Sequence, residues 1–109
     1  MMPYLYLFGA IIFEVFGTML LPFSKNFTKP LISIIIIISY SLSFYLLTFS
    51  LKEIPIAIAY STWAGLGIFL VTLFGYLIYD QNLQWQSYIG LLFIAIGVAI
   101  VNTFKSQNI

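Results

Sequence analysis

Apolar residues fall in four long blocks, and the polar residues that interrupt them cluster in three short stretches. The blocks cover residues 3–21, 30–49, 55–79 and 85–104, with connectors at 22–29, 50–54 and 80–84. A spanning helix needs about 20 predominantly apolar residues, so each block predicts one transmembrane helix. No connector is long enough to fold separately, and the pattern reads as a single four-helix transmembrane domain over 1–109. The first block has neither a basic n-region nor a small-x-small cleavage site, so it reads as a mature helix rather than a secretory leader.

One position breaks the first block. Glu14 sits near its centre, with no other charge between residues 3 and 21. An ionised carboxylate at mid-bilayer depth costs several kcal/mol and marks a proton, cation or counter-charge site. The alternative is a protonated side chain acting only as glue between helices, a task that Ser, Thr or Asn performs at lower cost. Leu7, Ala10, Glu14, Gly17, Thr18 and Leu21 recur at intervals of three and four and therefore share a face. Small neighbours leave room beside the carboxylate, and they equally permit close helix approach.

The second block places Tyr40, Ser43, Phe44 and Leu47 along one side, an aromatic face with polar handles, whereas 34–38 is a run of isoleucine suited to lipid. The third carries Tyr60, Trp63 and Gly67 on one stripe with Gly65 close by, so the glycine pair is either a hinge or a packing contact. The fourth carries Ser87, Gly90, Ile94, Gly97 and Val101 on one stripe and no ionisable group before Lys105. That stripe is a helix-association surface, and Gly90 and Gly97 are assigned to dimer contact. Tyr4, Tyr6 and Trp85 suit interfacial positions. A single acid among aromatic rings fits a hydrophobic cation, for which the carboxylate supplies charge and the rings cation–π and dispersion contacts. The candidate lining around Glu14 is Tyr4, Leu7, Ala10, Thr18, Tyr40, Ser43, Phe44, Tyr60 and Trp63. Four helices are too few to enclose such a ligand, which implies an oligomer with a Glu14 from each copy.

Composition narrows the function classes. The chain is 62% hydrophobic and 6% charged, which excludes a water-soluble domain. It has no Cys and no His, so disulfides, thiol chemistry, imidazole or thiolate metal sites and histidine relays are excluded. No cofactor is implied. A net charge of +1 offers no basic patch for nucleic acid. No nucleophile has a base or acid partner nearby in sequence, which speaks against an enzyme. Four helices put Lys25 and Lys29 on one side and Lys52 and Lys105 on the other. Orientation follows the Lys and Arg bias of short loops, and two against two is no bias. Either the chain inserts both ways up, or details of insertion select one orientation. Dual insertion would let two copies pair upside down, the arrangement other transporters obtain from an inverted repeat.

Ordered segments along all four helices carry a resemblance. They are Pro3-Tyr4-Leu5-Tyr6-Leu7, Glu14-Val15-Phe16-Gly17-Thr18, Phe23-Ser24 and Phe27-Thr28, Ser43-Phe44-Tyr45-Leu46-Leu47, and Ile54-Pro55-Ile56-Ala57-Ile58-Ala59-Tyr60. Trp63, Gly65, Gly67, Gly90, Gly97 and Asn102 follow in register. End to end, the chain resembles a small multidrug resistance transporter, a four-helix exporter of the bacterial inner membrane.

The resemblance implies an antiparallel homodimer of dual topology in which both copies of Glu14 face one chamber and bind protons or cationic substrate in alternation. It implies a proton-coupled antiporter of lipophilic quaternary ammonium and aromatic cations. Tyr40, Tyr60 and Trp63 match positions lining the family's site, Thr18 a position near the acid, Gly65 and Gly67 a bend in the third helix, and Gly90 to Gly97 the dimer contact. Guanidinium exporters of the family usually carry tryptophan where this chain has Gly17 and glycine where it has Ala10, so both positions resemble the multidrug subtype. A guanidinium or polyamine exporter, and a non-transporting helix-packing membrane protein, are the alternatives. Pro22 and Asn26 replace the family's usual lysine and glycine, and Ala64 replaces a frequent serine, which predicts a different end to the first helix and one hydroxyl fewer near the site.

Overall fold

The computed structural model describes residues 2–104, which form four long helices: α1 (Met2–Ser24), α2 (Pro30–Ser50), α3 (Ile56–Tyr79) and α4 (Trp85–Thr103). Each is long and apolar enough to cross a membrane. The protein is a four-span, all-α membrane protein. Lys105, the lysine that balances the loop charges, lies outside the described residues.

Local chemistry sets most helix ends. Lys29 is extended and Pro30 opens α2, where a missing amide proton is harmless because no carbonyl precedes it in the helix. Asp80 adopts a left-handed conformation at the end of α3 (φ 56°), and the amide of Gln81 closes that end by donating to the Gly75 carbonyl at 3.1 Å. The end of α1 differs from the expectation of 3–21. The helix continues through Pro22 to Ser24, since a proline in a last turn forfeits one backbone hydrogen bond without ending the helix. The chain then turns through Lys25, Asn26 and Phe27, all left-handed, with φ of 48°, 62° and 64°. Ser24 braces this turn by accepting from the Phe27 amide at 3.2 Å while donating to the Leu21 carbonyl at 2.7 Å.

Several hydroxyls inside the spans are satisfied by the backbone. Ser33, Ser39, Ser61 and Thr103 each donate to the carbonyl four residues earlier, so they enter the bilayer at little cost. Ser43 donates across helices to the Ala10 carbonyl at 2.7 Å. Among the described residues, every buried side-chain nitrogen and oxygen has a hydrogen-bond partner.

Helix α1 is central, packed along α2 and more briefly against α3. Leu7, Ile11 and Val15 of α1 meet Ile54, Ile58 and Ala59 in one buried cluster. Helix α4 packs on α3 and has no buried residue. The result is a slab of 45 × 35 × 18 Å with a radius of gyration of 15.3 Å, above the roughly 13 Å of a compact chain this long. One copy therefore presents its interior along an open side.

Candidate functional site

Glu14 is partly buried on α1, and two side chains bond its carboxylate directly while a third braces one of them. The Trp63 indole Nε1 donates to Oε1 at 3.2 Å, and the Thr18 hydroxyl donates to Oε2 at 2.6 Å. The Tyr40 hydroxyl lies 2.8 Å from the same Thr18 oxygen. Because the single Thr18 proton is directed at Glu14, Tyr40 donates to Thr18, and the result is a chain of donors running from α2 through α1 to the carboxylate.

Helix periodicity explains the placement. Thr18 is four residues after Glu14 and stands directly over it on α1. Trp63 reaches from α3, with its ring also meeting Phe44 of α2 at a centroid distance of 5.8 Å. Gly67 lies one turn beyond Trp63, and a Cβ there would stand 3.5 Å from Glu14 Oε1, so the absent side chain leaves the acid open.

The carboxylate opens into a cleft of about 370 Å³ lined by Glu14, Tyr60, Trp63, Ala64, Gly67, Ile68, Val71 and Thr72. A second cleft of about 370 Å³, almost wholly apolar, shares Tyr60 and Trp63 and continues along Leu47, Leu51, Ile56, Ala57 and Ala59. One charge beside one greasy slot suits a cation with an organic body. Tyr60 is 75% exposed and projects from the chain beside both clefts.

The other expected lining residues stand elsewhere. Leu7 and Ala10 are fully buried in the seams of α1, and Ser43 is spent on the Ala10 carbonyl between α1 and α2. Tyr4 donates to Asn102 of α4 at 2.6 Å, and Asn102 in turn donates to Thr62 of α3 at 2.8 Å, a junction at the other end of the helices. Helix α3 runs unbroken through Gly65 and Gly67. Gly65 is a close-approach point, since a Cβ there would come within 2.5 Å of Val98 of α4. Gly90 and Gly97 face open space, with nothing among the described residues within 4 Å of an added Cβ.

The residues most easily missed in the sequence are Thr62, Asn102 and Tyr79. An Asn in an apolar span is the one available signal, because it demands a partner there. Tyr79, whose hydroxyl donates to the Met19 carbonyl of α1, resembles any interfacial tyrosine until the helices are packed.

A four-span membrane protein with a hydrogen-bonded carboxylate facing an aromatic cleft has the make-up of a membrane transporter. The chain belongs to the small multidrug resistance family, whose model, described as Small Multidrug Resistance protein, matches residues 2–94. It is 45% identical over 108 residues to the multidrug transporter EmrE of Escherichia coli (strain K12), covering 99% of this chain and 98% of that one. It is 39% identical over 107 residues to the quaternary ammonium compound-resistance protein QacH of Staphylococcus saprophyticus, covering 98% and 100%. Against the resistance protein QacE of Escherichia coli it is 38% identical over 108 residues, covering 99% and 98%.

Proposed function

We propose that the protein is a proton-coupled exporter of hydrophobic quaternary ammonium and aromatic cations, working as an antiparallel homodimer with Glu14 of both copies facing one chamber. The observation that carries this reading is the Glu14 carboxylate, held by Trp63 and Thr18 at the mouth of an aromatic cleft. Cation and proton compete for one carboxylate. Trp63 Nε1 can only donate, so Oε1 is kept as an acceptor. A proton is taken on Oε2, where the Thr18 hydroxyl turns to accept it. Exclusive occupancy then couples the inward proton flux to the outward cation flux.

The flat shape, the open side beside Glu14 and the uncovered face of α4 at Gly90 and Gly97 support a second copy. The space at Gly17 supports the multidrug subtype, since Tyr40 fills the volume that a tryptophan there would need. The names of the relatives, multidrug transporter and quaternary ammonium compound-resistance protein, support the same cargo.

Transport current from the purified single chain in proteoliposomes tests the reading, with a quaternary aryl cation compared against guanidinium and both repeated with Glu14→Gln. Glu14-dependent current with the aryl cation is expected. Guanidinium current alone would move the protein to the guanidinium subtype, and aryl-cation current that survives Glu14→Gln would refute the role of the acid.

A further inference from the structure

Toward the C-terminal ends of α1 and α3 lies a smaller cavity of about 120 Å³, lined by Thr18, Met19 and Pro22 of α1, Val71, Gly75 and Tyr79 of α3, and Gln81. It is roomy enough for water, one molecule of which needs about 10–15 Å³ of such space. Pro22 and Gln81 stand at its exposed end. At its inner end Thr18 touches Glu14 through the 2.6 Å hydrogen bond. Along α1, Glu14 and Pro22 are two turns apart, about 12 Å.

The backbone of α1 is open here for a chemical reason. Pro22 has no N–H, so the Thr18 carbonyl four residues earlier loses its helical donor. The next carbonyl, that of Met19, receives the Tyr79 hydroxyl from α3. The carbonyl that Pro22 frees thus belongs to a residue of the cavity wall, next to one that already accepts the Tyr79 hydroxyl. Gly75 keeps the space open, since a Cβ there would sit 3.3 Å from the Gln81 side-chain oxygen. The cation cleft described above reaches Glu14 from the side of Trp63 and Gly67, and the two cavities have only Val71 in common among their lining residues.

We propose that this notch is a water-filled proton-access site that serves Glu14 through Thr18, separate from the cleft that takes the cation; it rests on the reading of Glu14 as an alternating proton and cation site. Thr18 Oγ1 has two lone pairs, one engaged by Tyr40 and one free for a notch water. On uptake, a hydronium in the notch gives a proton to the Thr18 oxygen as the hydroxyl proton passes to Glu14 Oε2. Thr18 ends unchanged, the carboxylate becomes a carboxylic acid, and the hydronium becomes water. Release runs the same steps backwards.

The experiment measures proton uptake into proteoliposomes loaded with a pH-sensitive dye under an imposed pH gradient, beside equilibrium binding of benzyltrimethylammonium. Wild type is compared with Pro22→Ala, which restores the amide donor to Thr18, with Gly75→Val, which fills the notch, and with Glu14→Gln. Pro22→Ala and Gly75→Val are expected to slow Glu14-dependent proton uptake several-fold while cation affinity stays at the wild-type level. A merely structural role at these positions would leave that split unseen. Uptake at the wild-type rate in both variants, with Glu14→Gln still abolishing it, would overturn the notch and leave the Glu14 reading standing. Uptake that ignores Glu14→Gln would overturn the Glu14 reading and the notch with it.

Discussion

The ring of Tyr40 occupies the space that a side chain at residue 17 would need: a Cβ built on Gly17 would lie 3.1 Å from Tyr40 Cε1 and 3.4 Å from the Cβ of Ser39. Gly17 therefore lets α2 close on α1, and that closeness brings the Tyr40 hydroxyl within 2.8 Å of Thr18. Gly17→Trp is expected to expel the Tyr40 ring and break the donor chain to Glu14. Affinity for a quaternary aryl cation should fall at least tenfold, about 1.4 kcal/mol, as measured by calorimetric titration in detergent. Unchanged affinity would show that Tyr40 does not act through Thr18.

Trp63 combines two contributions that substitutions can separate. Trp63→Phe keeps an aromatic wall and removes the 3.2 Å hydrogen bond to Glu14, a loss of about 0.5–1.5 kcal/mol in cation binding. Trp63→Ala also removes the ring that walls both clefts and meets Phe44 at a tilt, so its loss should be clearly larger. Equal losses in the two variants would mean that the ring contributes nothing to the cation.

Asn102 ties α4 to the rest of the chain by donating to Thr62 and accepting from Tyr4. Thr62 is 7% exposed, so Asn102→Leu leaves its hydroxyl oxygen without that donor, at a cost of about 1–3 kcal/mol. The thermal midpoint in detergent should drop, while Glu14-dependent cation binding persists in the folded fraction. A midpoint equal to wild type would remove the junction from any account of stability.

The turn after α1 predicts a change of opposite sign. Phe27 is left-handed at φ 64° and is 53% exposed, a conformation that costs a non-glycine residue roughly 1–2 kcal/mol. Phe27→Gly should raise the stability by up to about 1 kcal/mol, after the greater freedom of glycine in the unfolded chain is set against the relief. Asn26, a residue type that tolerates this region, should gain less from the same change. A fall in the thermal midpoint for Phe27→Gly would show that its ring, rather than its backbone, holds the turn.

The chain by itself determined the number of spans and the presence of one acid inside the first of them. Lipid acts as a solvent on local composition, so a run of about 20 apolar residues and one charge inside it are legible without a partner. It also placed Thr18 beside Glu14, because four residues along a helix is a fixed geometry. What only the tertiary structure decided is which side chains cross between helices. Tyr4 and Ser43 lie on the faces expected of lining residues, yet one turns to Asn102 and the other to the Ala10 carbonyl. Tyr79 meets Met19, and Val98 claims the space at Gly65. Lipid and interior are equally apolar, so a membrane helix carries little periodic signal of which way it faces. Rotation and approach are set by where small residues let two backbones meet, and that depends on both helices at once.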